Sequence, residues 1–464
     1  MVHAYRATPC PQRVITKKCG RETLIQTFRV AICGGGIGGL TLAVALSRYP
    51  DIRIEVYEAA GQFKEIGAGV MVWERTWKIL ELLGLGKEFG EIAHAQPNSS
   101  PGVGFDYRKS DQPQEGFRFY LFQVPYGCIR FHRAQFLDVL VDHLPSDVAH
   151  FGKRLTSYTT PTINLNEPGR ASEILLHFAD GSSATCDLLI GCDGIKSVIR
   201  KQMIEDHVHK SGGDPTLLEH IEPIWSGRIA YRGLIPVHRF KTEDKEHRTI
   251  QTPMMYCGKS KHVVSYGISR GSIVNVVAMA TQPHLYGTTY DGPWVKECGR
   301  DELLDCFAGW EPEVQEMLQC IEKPTKWAIC ELKPLPFYVQ GRIALLGDAA
   351  HGMTPHQGAG AGQAIEDAYI LAEVLGHPGT TLSTLSQALA AYEAVRLPMA
   401  NHVLQGSRES GNMYEFNGPL GADLARLGPQ IGKQWDWVWK TTPLEEREKA
   451  LRLSTQKKGP VARL

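Results

Sequence analysis

Several short stretches of this chain carry glycines and carboxylates at spacings that can hold a phosphorylated, dinucleotide-sized ligand. In Gly34-x-Gly36-x-x-Gly39 the first glycine permits a tight turn, the second lets a pyrophosphate approach the backbone, and the third lets a helix pack closely on a strand. The N-terminus of the following helix adds N–H groups and partial positive charge. Glu58 follows Gly39 by 19 residues. A carboxylate there can accept both ribose hydroxyls of an adenosine and would repel a 2′-phosphate, so the pattern favours FAD or NAD over NADP. Two further strand ends carry an acid beside a small residue: Gly191-Cys192-Asp193-Gly194-Ile195-Lys196-Ser197-Val198-Ile199-Arg200 and Gly347-Asp348-Ala349-Ala350-His351. Gly358-Ala359-Gly360-Ala361-Gly362 is a backbone able to approach a flat ring and to stabilise negative charge on it through its amides.

Such residues work only if regular elements hold them in place. Phe28–Cys33 is a β-prone run entering the glycine turn, 40–48 reads as a helix, and Ile52–Tyr57 alternates as a second strand, which together make a βαβ unit. The stretch 135–144 has apolar residues at 137, 140, 141 and 144, a helical stripe opened by His132-Arg133. Ile174–Phe178, Asp180-Gly181 and 184–190 read as a β-hairpin leading into Gly191. From about 205 to 335 the text changes to short β runs (WSGRIAYRGLIP, HVVSYGI, IVNVVAMA) between polar loops, a separate and mostly antiparallel layer. A buried-type strand at 343–346 and a helix at 363–375 return the chain to the first layer, and beyond 377 the text is helical.

The 464 residues are 43% apolar and 22% charged, ordinary globular usage that excludes disorder, collagen and coiled coil. Lys plus Arg equals Asp plus Glu at 50 each, so no global field attracts nucleic acid or an acidic membrane, and the expected partner is a small molecule. The 11 cysteines are odd in number and thinly spread, with no C-x-x-C pair and no metal-ligand spacing. A reducing compartment and no metal site are expected. The first 27 residues are basic without the apolar stretch of a signal peptide, which makes them a loose extension or a transit segment. A cytoplasmic location is expected, with a mitochondrial one as the alternative. No stretch reads as a membrane span, since five glycines interrupt the uncharged run 30–47.

The glycine loop, the Asp193 motif and the Gly347-Asp348 motif, in this order, resemble the group A flavoprotein monooxygenases, the single-component aromatic hydroxylases. The resemblance covers about 28 to 375. It implies an α/β fold: a Rossmann-like FAD-binding domain of the aromatic hydroxylase type, an antiparallel β-sheet substrate domain and C-terminal helices. The implied division is an N-terminal extension (1–27), the FAD-binding domain (28–204, with a substrate-domain insertion near 85–128), the substrate-binding sheet (205–335), the FAD-domain return (336–376) and a C-terminal helical region (377–464). Glu65-Ile66-Gly67-Ala68-Gly69-Val70, the stretch from Phe131 to Leu137, Ala230-Tyr231-Arg232-Gly233-Leu234 and the stretch from Gly347 to Gly362 are similar to the salicylate hydroxylase branch and its fungal relatives. That branch continues after Val70 with Pro and Asn behind small or amide residues, whereas this chain has Met71-Val72-Trp73-Glu74.

The resemblance implies a cofactor site of Gly34, Gly36, Gly39, Glu58, Met71, Arg133, Asp193, Asp348, Gly360 and Ala361, holding FAD noncovalently. NADH or NADPH would approach through a surface groove, since only one G-x-G-x-x-G precedes a helix. A phenolate or carboxylate substrate needs a fixed cation and a hydrogen bonder in an apolar pocket. Arg232 and Tyr266 match an Arg and a Tyr that some fungal relatives use at the substrate, and His356 falls where the branch has a histidine near the substrate ring. As a base near neutral pH such a histidine helps to keep a phenol ionised. Each has a plainer reading: a strand arginine paired with a carboxylate, a tyrosine capping a core, a histidine bonded to a carbonyl. The tryptophans of WDWVWK read as packing. The expected activity is NAD(P)H- and O₂-dependent hydroxylation of a phenolic or hydroxybenzoate-type ring, with loss of CO₂ if the attacked carbon bears a carboxylate. The alternatives are an FAD-dependent epoxidase or hydroxylase of a secondary metabolite such as a prenylated terpenoid, and a catalytically silent flavin-binding interaction protein.

Overall fold

In the computed structural model, residues 27–63, 69–94, 97–160, 173–240 and 246–456 are described, with the backbone of 16–18 and 21–23. Most of the N-terminal extension and the motif Glu65-Ile66-Gly67-Ala68 lie outside the described residues. β1 (Phe28–Cys33) is buried along nearly its whole length, as the apolar run Val30–Cys33 requires of a strand covered on both faces, with Arg29 its one partly exposed residue. It passes through the glycine turn into α1 (Ile37–Leu46) and β2 (Ile52–Tyr57). α1 starts three residues before the expected 40, because Gly36 is its N-cap and Gly38 and Gly39 fall within its first turn. There follow β3 (Gly69–Val72), α2 (Glu74–Leu82), α3 (Gly86–Ile92), β4 (Pro101–Lys109), β5 (Phe117–Pro125), β6 (Ile129–His132), α4 (Arg133–Asp142) and β7 (Ala149–His150). β8 (Leu155–Thr159), β9 (Ile174–Phe178) and β10 (Ser183–Cys186) form a small antiparallel sheet. The stretch 184–190 is two strands rather than one hairpin arm. β10 stops at Cys186, and after Asp187 the chain joins a different sheet as β11 (Leu188–Gly191). The break falls at Asp187 because its carboxylate takes the Arg29 backbone N–H at 2.8 Å and the Arg29 guanidinium at 3.1 Å, outside any ladder.

The chain then runs through α5 (Val198–Ser211), β12 (Ile224–Pro236), β13 (Met254–Gly258), β14 (Lys261–Ile268), β15 (Ile273–Thr281), β16 (Val295–Glu297), α6 (Arg300–Cys306), α7 (Pro312–Gln319) and β17 (Thr325–Glu331). It returns as β18 (Val339–Gln340), β19 (Ile343–Leu345), α8 (Asp348–His351) and α9 (Gly360–Gly376), and ends in α10 (Leu385–Tyr414), α11 (Leu424–Lys433), α12 (Asp436–Trp439) and α13 (Pro443–Thr455).

The first sheet has the order β18-β19-β11-β1-β2-β7 and is parallel except for β18 on β19. In its register Cys33 lies opposite Gly191, and Gly191 opposite Leu345. The three strands therefore end level, and the turns at Gly34, Cys192 and Gly347 leave from one edge, where open α/β sheets bind ligands. The second sheet has eight strands in the order β16-β17-β12-β15-β14-β13-β4-β5, with β13 and β4 its parallel neighbours. Ile229, Tyr231, Val274 and Val276 bury one face in a cluster with Phe307 and Leu318 of the α6–α7 region. The opposite face belongs to a cluster shared with Met71, Trp73, Ala359 and Met413 of the other layer. The expected Rossmann-like and antiparallel layers with C-terminal helices are thus present. Among the described residues no helix is long and apolar enough to cross a membrane, and no disulfide forms.

Candidate active site

At the edge of the parallel sheet the glycines divide the work sterically. Gly34 has φ +115°, and a Cβ there would meet the Cys192 carbonyl oxygen at 2.1 Å. One on Gly39 would meet the Gly34 carbonyl oxygen at 2.1 Å, whereas one on Gly36 meets nothing within 4 Å. Gly34 and Gly39 are therefore required by the fold, while Gly36 borders open space at the N-terminus of α1. Glu58, at the end of β2, accepts the backbone N–H groups of Gly35 and Ala60, each at 2.7 Å. These bonds aim the carboxylate at the turn.

Asp193 caps α5, its Oδ2 accepting the N–H groups of Val198 (2.8 Å) and Ile199 (3.2 Å), and its Oδ1 is buried with no hydrogen-bond partner. Burial raises its carboxyl pKa. Arg200 ties this motif to the third, donating to the carbonyls of Ile195, Ile221 and Ala349. Asp348 opens α8 with an exposed carboxylate, after Gly347 at φ +64°. Asp367 of α9 fastens the turn: it accepts the Gly347 N–H at 3.1 Å, the Arg396 Nε–H at 2.8 Å, and pairs with His351 Nε2 at 2.5 Å. Gly360 and Ala361 form the half-buried first turn of α9.

Met71 lies on β3 against the loop before α9, where a Cβ on Gly358 would come within 3.1 Å of the Met71 methyl. Trp73 lies in the core, 1% exposed. Its indole N–H donates to the Gln357 carbonyl at 2.9 Å, and Trp437 donates to Gln357 Oε1 at 3.1 Å. Trp435 packs edge-on to Trp73 at 4.5 Å. Met71, Trp73, Trp435 and Trp437 therefore act together as a brace for the 355–358 loop, while Trp439 lies 40% exposed against Phe122. Arg133 starts α4, half-buried, and its charge bears on Arg232.

Across the interface, β12, β15 and β14 bring Arg232 and Tyr266 to one face of the second sheet. Arg232 is opposite Val277, which is opposite Val264; Leu234 is opposite Asn275, which is opposite Tyr266. Arg232 lies over the Trp327 ring at 4.8 Å and pairs with no carboxylate among the described residues. Tyr266 is 4% exposed and reaches β3, since a Cβ on Gly69 would come within 2.6 Å of its hydroxyl. Burial raises the pKa of the phenol, while Arg232 and Arg130 pull it back. His356 lies elsewhere on this interface. It packs on His262 at 5.3 Å, which is four residues before Tyr266 on β14, roughly 13 Å along the strand. Both ring nitrogens of His356 are buried without a hydrogen-bond partner. Burial, with the charges of Arg228 and His262, holds its pKa well below the usual histidine range. Beside it Glu415 takes His262 Nδ1 at 3.1 Å and Arg228 at 3.2 Å. Burial raises its carboxyl pKa, but these two neighbours outweigh that and hold it at about 2.

The sequence reading did not single out Arg130 and Asn275. Asn275 is 2% exposed, its Oδ1 accepting the Gly69 N–H at 3.4 Å and its Nδ2 without a partner. Arg130 of β6 is 7% exposed, with Nε and Nη1 unpartnered. A polar residue inside the apolar run IVNVVAMA signals Asn275, but an arginine alternating along a strand looks like any solvent-facing one.

The model of the FAD binding domain family matches residues 27–213 and 335–407. Over 420 residues the chain is 39% identical to a salicylate hydroxylase of Pseudomonas putida, covering 89% of this chain and 91% of that one. It is 34% identical over 424 residues to the 6-methylsalicylate 1-monooxygenase atA of Aspergillus terreus, covering 90% of each. A solved salicylate hydroxylase substrate complex superposes with a TM-score of 0.78 at 33% identity, covering 92% of this chain and 98% of that one.

Proposed function

Since the chain belongs to the FAD binding domain family and is an FAD-dependent monooxygenase, we propose that it hydroxylates a phenolic acid of the salicylate type, using NADH or NADPH and O₂. The observation that carries this reading is one juxtaposition. Three level strand ends bearing Gly36, Asp193 and Asp348 border an interface whose opposite wall carries a cation that pairs with no carboxylate among the described residues, Arg232, and a buried phenol, Tyr266.

The residues present suit FAD. Gly36 leaves room for a pyrophosphate at the α1 N-terminus, Glu58 and Arg133 are the candidates for the adenosine and phosphate side, and Asp348 offers an unburied carboxylate to a polyol chain. The buried, unpartnered Asp193 Oδ1 is a second acceptor. Met71, Gly360 and Ala361 border the ring side of the site, with the first amides of α9 available to negative charge. When bound, FAD passes electrons from NAD(P)H to O₂ and delivers one oxygen atom to an electron-rich ring carbon. The chain's own part is to hold the ring and exclude water. Arg232 supplies the charge that favours an ionised phenolic oxygen, and the Tyr266 hydroxyl donates to that oxygen. His356 is neutral at physiological pH and stands as an acceptor rather than a charged partner.

The test is a panel of phenolic acids screened for ligand-stimulated NAD(P)H oxidation, with product mass and CO₂ release recorded. At least one salicylate-type acid should be turned over. In Arg232→Met, which keeps bulk and removes the charge, oxidation should fall at least about 10-fold with FAD retained, roughly 1.4 kcal/mol of transition-state stabilisation, and Tyr266→Phe should lose less. No stimulation by any phenolic acid would overturn the reading in favour of another substrate class, and no reduction with any ligand would favour a silent flavin protein.

A further inference from the structure

The pocket wall around Tyr266 contains more cation than a single phenolate explains. Arg130, on β6 opposite Met71, is buried, and two of its guanidinium nitrogens have no hydrogen-bond partner. β14 packs against β6, which brings Arg130 to Tyr266. Among the described residues its electrostatic neighbours are Cys128 and Tyr266, with no carboxylate, and those of Arg232 are Tyr266 and Arg133. Asn275, directly opposite Tyr266 in the ladder, adds the unpartnered Nδ2 donor. His94, also charged against by Arg130, is held by burial and by that charge at a pKa of about 4, so it brings no second positive charge at neutral pH.

Donors thus converge here without a matching anion among the described residues. Burying an unpaired guanidinium costs several kcal/mol, and native proteins rarely leave such groups unsatisfied. A carboxylate answers this arrangement, because its two oxygens accept charge-assisted hydrogen bonds from a guanidinium and an amide together.

We propose that Arg130, with Asn275 Nδ2, is the carboxylate-binding subsite of the substrate pocket, leaving Arg232 and Tyr266 to the phenolic oxygen. This rests on the phenolic-acid reading and refines it: the substrate class is a hydroxyarene carboxylic acid whose acid group is bound separately from its hydroxyl. Arg130 is then a specificity-determining residue.

The test is direct binding to the FAD-loaded enzyme, without turnover, followed by the change in flavin absorbance. The probes are 2-hydroxybenzoate and 2-hydroxybenzamide, which are nearly the same shape, the amide lacking the negative charge and offering N–H donors in place of one acceptor oxygen. The native enzyme should bind the acid at least about 10-fold more tightly than the amide. Arg130→Met should erase that preference and Arg130→Lys should restore part of it, while Arg232→Met should keep it. Because no carboxylate among the described residues pairs with Arg130, ligand-free Arg130→Met should melt no lower than the native enzyme. An unchanged preference in Arg130→Met, or none in the native enzyme, overturns the proposal. So does loss of flavin or a lower melting temperature in Arg130→Met, either of which makes Arg130 a cofactor or structural residue. Since binding is read independently of oxidation, a failed turnover panel would sink the functional reading without deciding the Arg130 result.

Discussion

The glycines of the first turn separate what the fold needs from what a ligand needs. A methyl group on Gly39 must displace the Gly34 carbonyl from 2.1 Å, while one on Gly36 meets nothing within 4 Å and sits at an extended backbone with φ −77°. Gly39→Ala should therefore lower the melting temperature of the flavin-free protein markedly, as overpacking costs about 1–3 kcal/mol. Gly36→Ala should fold normally and lose FAD. Thermal melts of the stripped proteins with flavin absorbance of the purified ones check both outcomes. If Gly36→Ala retained stoichiometric FAD, the pyrophosphate would have to lie elsewhere. The turn role of Gly34 and the packing role of Gly39 are legible in the sequence because turn geometry is a local property of residue type. Arg130 and Asn275 are not, because the covering of one strand face depends on β6 and β14 meeting, and Arg130 and Tyr266 are 136 residues apart in the chain, which no local pattern spans.

At the scale of elements, the nucleotide layer is fastened by buried charge. Arg396 of α10 reaches Glu366 (3.0 Å) and Asp367 (2.8 Å) of α9 and Glu446 of α13 (3.0 Å), while Arg75 of α2 reaches Glu366 and Glu446. Arg396 is wholly buried, so truncating it strands carboxylates in a low dielectric. Arg396→Leu should cost about 3–5 kcal/mol, the range for breaking a buried ion pair from one side. Chemical denaturation of the FAD-loaded protein measures this, and a loss below about 1 kcal/mol would show the carboxylates finding other partners. Because Asp367 also holds the Gly347 N–H, the same variant should weaken FAD retention although Arg396 is far along the sequence from the glycine loop. The helical stripe that becomes α9 is readable from apolar spacing, but its acids look like a solvated face. Their burial follows from α10, α13 and α2 closing over them, which no window of sequence contains. The split of 184–190 is hidden for a related reason, since the Asp187 contact with Arg29 spans 158 residues.

For the whole molecule, pH acts through histidines that the fold keeps neutral. Burial and the Arg130 charge hold His94 at about 4, and burial with the charges of Arg228 and His262 holds His356 well below its usual range. The unfolded chain binds protons at these sites from about pH 6.5 downward while the folded one resists. Their contribution to stability is therefore complete above about pH 6.5, declines as the pH falls, and for His94 is lost below about 4. Melting temperature should fall across this interval, and His94→Gln should flatten part of the decline; an unchanged slope would remove His94 from the account. The two-layer plan itself is legible, because runs of parallel-type and antiparallel-type strands differ in composition. What pins the layers together is α10. At 30 residues it is about 45 Å long; Arg396 locks it to the nucleotide layer, and Glu415, just past its end, locks to Arg228 and His262 of the other sheet. A rod clamped at two separated points resists both sliding and rotation, where a single clamp would leave a pivot. Opening the crevice like a book would demand that the rod bend, with Pro398 between the clamps its weakest point, or that a buried charge be torn loose, so for the proposed site substrate and product would be exchanged at the rim of the interface while the two layers stay fixed.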